Sequence, residues 1–239
     1  MNKTKKPLKF FSLAEWSLII ISFSLILFSF FISPIVNADR NIFAMITSLI
    51  GVIGVIFISR GDHIAHYIYI VFSILYVIVS CYSRYYGEAI IYGGLMLPIH
   101  IWSVFSWKKN SNKDNSVLIE TNNNKELVII VASSILFTIP FFFILKALKT
   151  DNLLFSTLSF CSSLTAAVLM LKRNKYFSLV FLIDDFLSIF LWGSKLLLGV
   201  YSFIPTLITV LVAAINDSYS FYKWRKRSVA QSKENAKHE

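Results

Sequence analysis

Eight stretches of about twenty residues, each almost wholly apolar, run through this chain. They cover 13–36, 42–59, 64–82, 86–107, 126–147, 152–171, 176–198 and 201–223. A hydrocarbon layer of about 30 Å is crossed by a helix of about 20 apolar residues. Away from water, a single run can satisfy its own backbone groups only as a helix. Composition leaves no other home for these runs: the 239 residues are 56% hydrophobic and 15% charged, where a soluble domain carries about 25% charge. The expected fold is an all-α integral membrane protein of about eight transmembrane helices.

The 23 Lys and Arg outnumber the 13 Asp and Glu, which could suggest a nucleic-acid partner. Their placement argues against one. They sit at the chain ends and in short gaps between apolar runs, as topology signals do. With the N-terminus in the cytoplasm, only Arg40, Arg84, Lys146, Lys149 and Lys195 fall on the outer side or at outer helix ends. The inner set runs from Lys3, Lys5, Lys6 and Lys9 through Arg60, Lys108, Lys109, Lys113, Lys125, Lys172, Arg173 and Lys175 to the tail. There it adds Lys223, Arg225, Lys226, Arg227, Lys233 and Lys237. This bias supports an even number of spans, with both termini cytoplasmic, in the cell (inner or plasma) membrane. The first run ends in FFISPIVNADR without a small-residue cleavage pattern, so it reads as a retained helix.

Chemistry of the enzymatic kind has no foothold. Cys81 and Cys161 lie within or at the edge of apolar runs and make no disulfide framework. His63, His66, His100 and His238 lack metal-ligand spacing. No glycine-rich phosphate cradle and no nucleophile with a positioned base stands out. The expectation is a protein that is not an enzyme, holds no cofactor or metal, and has the lipid bilayer rather than nucleic acid as its partner.

An internal repeat organises the spans. SLIGVIGVIFISRGDHIAHYIYIVFSILYVIVS (48–80) and LSFCSSLTAAVLMLKRNKYFSLVFLIDDFLSIFLW (158–192) each read as an apolar run, a basic turn and a longer aromatic run. Aligning Arg60 with Lys172 puts Gly87 on Gly199, and both units end in an aromatic and basic cluster, WSVFSWKK and SFYKWRKR. The order is therefore 1+3+1+3. Residues 1–40 hold the basic N-terminus and an extra helix, and 41–109 the first three-helix repeat. Residues 110–150 hold a polar surface loop and a linking helix, 151–227 the second repeat, and 228–239 a cytoplasmic tail. Equivalent helices are an even number of spans apart, so the two repeats are parallel, and a site is expected near the midplane between them.

Three segments carry a likeness to known proteins. They are YGEAIIYGGLMLPIHIWSVFSWKKN (86–110), with Pro98 and Trp107–Lys108; LMLKRNKYFSLVFLIDDFLSIFLW (169–192), with its basic turn and terminal aromatics; and NDSYSFYKWRK (216–226). In these, residues 40–227 resemble the PnuC-type vitamin (nicotinamide riboside) transporter family, whose fold is related to the SWEET sugar transporters. The chain departs from that family's pattern at His100, where a Gln is expected, at Asp184 or Asp185, near an expected Asn, and at Ser220, where a Gly is common. The resemblance implies facilitated uptake of a vitamin-type nucleoside, foremost nicotinamide riboside, without ATP hydrolysis or ion coupling. It further implies trapping by a cytoplasmic kinase that need not touch the transporter, and a homotrimer. Thiamin, riboflavin or a deoxynucleoside remain alternative cargoes. A more distant alternative is an intramembrane enzyme using the Asp pair, but adjacent helical residues point about 100° apart, a poor geometry for a shared proton.

Candidate binding residues follow from the cost of placing polarity at mid-bilayer, about 2.5–3.5 kcal/mol for a charge on insertion scales. Asp184, Ser188, Trp192 and Lys195 share one helical face and offer an anion, a hydroxyl, a ring and a cation in a column, and Asp185, about 100° round the helix, is a further binding candidate, with either Asp open to face the cargo. The matching helix of the first repeat contributes Ser73 and Tyr76. Tyr92 and His100 lie along one face of the fourth run, where Pro98 can loosen the helix. In the last run Asn216 is a candidate, whereas Asp217 is expected to neutralise cations at the cytoplasmic end and Glu88 to be an interfacial charge. Trp16, Trp107 and Trp224 read as interface anchors.

Overall fold

The computed structural model of the chain describes residues 11–32, 41–112, 116–120 and 123–235. Lys3, Lys5, Lys6, Lys9, Arg40, Lys113, Lys237 and His238 lie outside the described residues. Eight helices are long and apolar enough to cross a membrane: α1 (Leu13–Ile32), α2 (Ile42–Arg60), α3 (Ile64–Tyr82), α4 (Tyr86–Lys109), α5 (Asn124–Ala147), α6 (Leu153–Leu171), α7 (Phe177–Leu197) and α8 (Ile204–Asn235). Each coincides with one expected run. α8 differs in continuing well past residue 223, because Trp224, Ser228 and Gln231 keep a helical stripe turned toward the protein after the apolar run ends.

The helices close into a ring. α2 packs on α3, α3 on α4, α4 on α6, α6 on α7, α7 on α8, and α8 returns to α2. Exchanging α2, α3 and α4 for α6, α7 and α8 maps this ring onto itself, which is the pseudo-twofold arrangement of two parallel repeats. α1 lies outside against α2 and α8, and α5 lies outside against α6. Phe141 and Leu145 of α5 also reach Ile91 and Met96 of α4. Polarity is distributed inside out. Phe28, Phe31, Phe137 and Phe143 are exposed on the outer helices, while Ser73, Ser159, Asp184 and Asn216 are buried. Gly51 allows α2 to approach closely: a Cβ there would lie 2.7 Å from a ring atom of Phe72 and 2.9 Å from the Thr209 methyl. Small residues serve this purpose where helices pack in lipid.

The turn after α2 recurs after α6. Gly61 adopts φ 72° and Arg173 adopts φ 55°. The Gly61 and Asp62 amides donate to Ile58 O and Phe57 O, and the Arg173 and Asn174 amides donate to Met170 O and Leu169 O. Both are left-handed helix caps, and they bear out the alignment of Arg60 with Lys172. The alignment of Gly87 with Gly199 does not hold. Gly199 (φ 78°) caps α7 as Arg84 (φ 62°) caps α3, and Gly199 follows the cap at Arg173 by 26 residues where Arg84 follows the cap at Gly61 by 23.

Within the loop between α4 and α5, residues 116–120 depart from the polar surface loop expected. Val117 is fully buried and Ile119 nearly so, packed with Trp107, Phe177 and Trp224. Residues 116–120 form a strap across the face that carries the basic turns. The Val117 amide donates to Gly61 O, that of Leu118 to Asn110 O and that of Glu120 to Arg173 O. Arg227 donates to Arg60 O and Val117 O. Gln231 and Ile119 exchange two hydrogen bonds, and Glu120 pairs with Arg173. Trp107 and Trp224 are consequently core residues under the strap rather than interface anchors, and Trp107 Nε1 donates to Met170 O. Trp16 is half-exposed on α1, where an anchor belongs.

Candidate functional site

At the centre of the ring lies a cavity. α2 supplies Thr47 and Ser48, α3 supplies Tyr69, Phe72 and Tyr76, and α4 supplies Tyr92, Met96 and His100. Met170 comes from α6, and Phe181, Asp184, Asp185 and Ser188 from α7. α8 contributes Thr206, Thr209 and Asp217. Of the residues singled out in the sequence, the structure thus brings Asp184, Asp185, Ser188, Tyr76, Tyr92 and His100 to one space.

The two adjacent carboxylates differ in what they touch. Asp184 faces α6, where Ser159 and Ser162 donate to Oδ1 at 2.7 and 2.9 Å and Ser163 donates to Oδ2. The hydroxyl of Ser159 also lies 3.2 Å from Glu88 Oε1. Glu88 is therefore buried between helices, not at the interface, because the start of α4 packs against α6. Asp185, about 100° round the helix from Asp184, reaches the site as well. It lines the cavity with Asp184, and its Oδ2 is shielded from solvent with no hydrogen-bond partner.

The aromatic wall is interlocked. Tyr76 and Tyr92 pack at 4.3 Å between ring centroids, and Phe72 stacks on Tyr76 at 5.2 Å. Trp192 stands behind this wall: fully buried, it donates from Nε1 to Tyr76 Oη at 2.8 Å. It holds the tyrosine and does not line the cavity. Tyr69 stacks on His100 at 4.8 Å and 14°. His100 Nδ1 lies 3.0 Å from Nδ1 of His66, which fixes the ring against α3. α4 reaches this point through a π-helical turn, Ile91–Met96, immediately before Pro98. Pro98 has no amide to donate one turn back, and the wider turn absorbs that loss, the loosening expected of it.

Other candidates are placed elsewhere. Lys195 leaves the Asp184 column at the opposite mouth, where it pairs with Asp151 at 2.9 Å over the ring of Tyr85. Burial raises the Tyr85 phenol above its usual range, which keeps it a donor to Leu191 O. Ser73 is buried off the cavity, its hydroxyl unpartnered. Asn216 binds Val55 O and ties α8 to α2. It is Asp217, not Asn216, that reaches the cavity wall. One residue on, about 100° round the helix, was enough to exchange the two roles. Thr47, Ser48, Thr206, Thr209 and Tyr69 were also missed. Thr206 and Thr209 stand three apart in IPTLITVL, a one-face spacing visible in the sequence.

Chemically, the wall offers three carboxylates, several hydroxyls and five Phe and Tyr rings, and no Lys or Arg lines it among the described residues. Such a wall can stack a flat ring, accept from sugar hydroxyls and attract positive charge. Among the described residues no group of His, Cys, Asp or Glu is placed to hold a metal ion.

Comparison with known proteins follows the same line. The sequence profile of the nicotinamide mononucleotide transporter family matches residues 41–226. The nicotinamide riboside transporter PnuC of Haemophilus influenzae is 25% identical over 187 residues, which is 77% of this chain and 79% of that protein. The crystal structure of the vitamin B3 transporter PnuC superposes with a TM-score of 0.72 at 19% identity, covering 92% of this chain and 99% of that one. At that identity the superposition speaks to the fold.

Proposed function

This chain belongs to the nicotinamide mononucleotide transporter family, and from that premise we propose that its cargo is nicotinamide riboside, carried across the membrane by facilitated diffusion. The observation that carries the reading is the cavity at the centre of the two-repeat ring. Tyr69, Phe72, Tyr76 and Tyr92 offer faces for a planar ring, and Asp184 and Ser188 offer acceptors for ribose hydroxyls. Among the described residues no Lys or Arg lines the cavity to receive a phosphate, which favours the riboside over the mononucleotide. Net uptake then requires a kinase on the cytoplasmic side that phosphorylates the cargo, with no contact between the two proteins required. The described cations Arg60, Lys108, Lys172, Arg173 and Arg227 gather on the strap face, and the positive-inside bias supports a cytoplasmic orientation for that face and for both termini. The apolar outer faces of α1 and α5 leave room for a homotrimer in the bilayer.

Calorimetry on the purified protein tests the cargo. Heat is expected with nicotinamide riboside and not with riboflavin or a deoxynucleoside. Heat with thiamin alone would transfer the protein to another cargo, and no heat with any of the four would overturn the reading.

A further inference from the structure

The two carboxylates of α7 are occupied differently, and α8 adds a third. Asp184 spends its oxygens on Ser159, Ser162 and Ser163. Asp185 keeps a shielded, unpartnered Oδ2 at the cavity. Asp217 is 7% exposed and lines the same cavity from α8, and both carboxylates lie within electrostatic reach of Tyr69. Among the described residues no Lys or Arg lines the cavity, and Lys195 is committed to Asp151, Lys223 to Glu15, Lys172 to Glu126 and Arg173 to Glu120. A second unsatisfied group faces the space, for Thr47 is 2% exposed, lines the cavity and has an unpartnered hydroxyl. Buried carboxylates without a counter-cation are strongly unfavourable. A ligand that brings positive charge between them removes that penalty, and a neutral ligand of the same shape does not.

We propose that Asp185 and Asp217 select the cargo by the charge of its ring, accepting a quaternary pyridinium riboside and discriminating against its neutral dihydropyridine form. This rests on the reading of the cavity as a riboside site. The ring sits against Tyr69 between the two carboxylates, which compensate its charge from α7 and α8. Tyr69 adds its π face to the same cation.

Reduced and oxidised nicotinamide riboside differ by a hydride and one unit of charge and are close in shape, so they isolate the effect. Dissociation constants for both are measured by calorimetry on the purified wild-type protein. The oxidised, cationic form is expected to bind about tenfold tighter or more, a difference of about 1.4 kcal/mol or more. In Asp185→Asn and Asp217→Asn that ratio falls toward one, through loss of affinity for the cation. Equal affinity of the wild type for the two forms overturns charge selection and leaves the riboside reading standing. Binding of neither overturns the riboside reading, and charge selection falls with it. Should an Asn variant fail to fold, the wild-type ratio decides alone.

Discussion

Adjacent residues of one helix do different jobs here, and mutation should separate them. Asp184→Ala leaves Ser159, Ser162 and Ser163 facing an empty position. An abandoned buried hydroxyl costs roughly 1–3 kcal/mol; Ser162 can fall back on Leu158 O and Ser159 O and Ser159 on Glu88 Oε1, which leaves Ser163 abandoned. The expected loss is therefore about 1–3 kcal/mol, seen as a lower melting temperature in detergent. Asp185→Ala takes no partner from Oδ2, so its melting temperature should stay close to wild type while cargo affinity falls. A drop in melting temperature for Asp185→Ala as large as that for Asp184→Ala would refute the distinction. Both residues were legible in the sequence as buried polarity in an apolar run. Which of them was already satisfied was not, because the answer lies on α6, in serines that read as ordinary small packing residues. Asp217 was hidden for a related reason. Its neighbours Lys223 and Arg225 made it look like a counter-charge, whereas Lys223 pairs with Glu15, more than 200 residues away in the chain.

At the scale of elements, apolar length announced every spanning helix, since lipid imposes one demand on all of them. Contacts between elements were less visible. The closure of the ring at α2 and α8 depends on Gly51, where Phe72 and Thr209 already fill the space a side chain would need. Gly51→Ala should cost about 1–3 kcal/mol through overpacking and reduce uptake by pushing α3 and α8 apart at the cavity. Unchanged stability and uptake would show that the ring does not depend on this approach. The strap illustrates the other limit. Val117 and Ile119 alternate with Leu118 and Glu120 in a two-residue period, but five residues are too few to outweigh the Asn-rich chain around them. The extension of α8 was missed because its inward stripe of Trp224, Ser228 and Gln231 is mostly polar.

For the whole molecule, the pairing of Arg60 with Lys172 exposed the two-fold plan, and the caps at Gly61 and Arg173 repeat it in three dimensions. The strap breaks that symmetry. It ties the ends of α2, α4, α6 and α8 together on one face only, through Gly61, Asn110, Arg173 and Arg227. Arg227→Ala removes the bonds to Arg60 O and Val117 O and should loosen it. A Val117→Cys probe, shielded in the parent protein, should then react with a maleimide several-fold faster in the Arg227→Ala background. Equal rates would mean that Arg227 does not hold the strap. A carrier without an energy source cannot alter the final concentrations on its two sides, but it can spend unequal time open to each. Three or four hydrogen bonds, each worth about 1 kcal/mol net, are enough to bias two conformations by about a hundredfold or more. A protein tied at one mouth therefore waits with its other mouth as the readier one, and meets cargo from that side first.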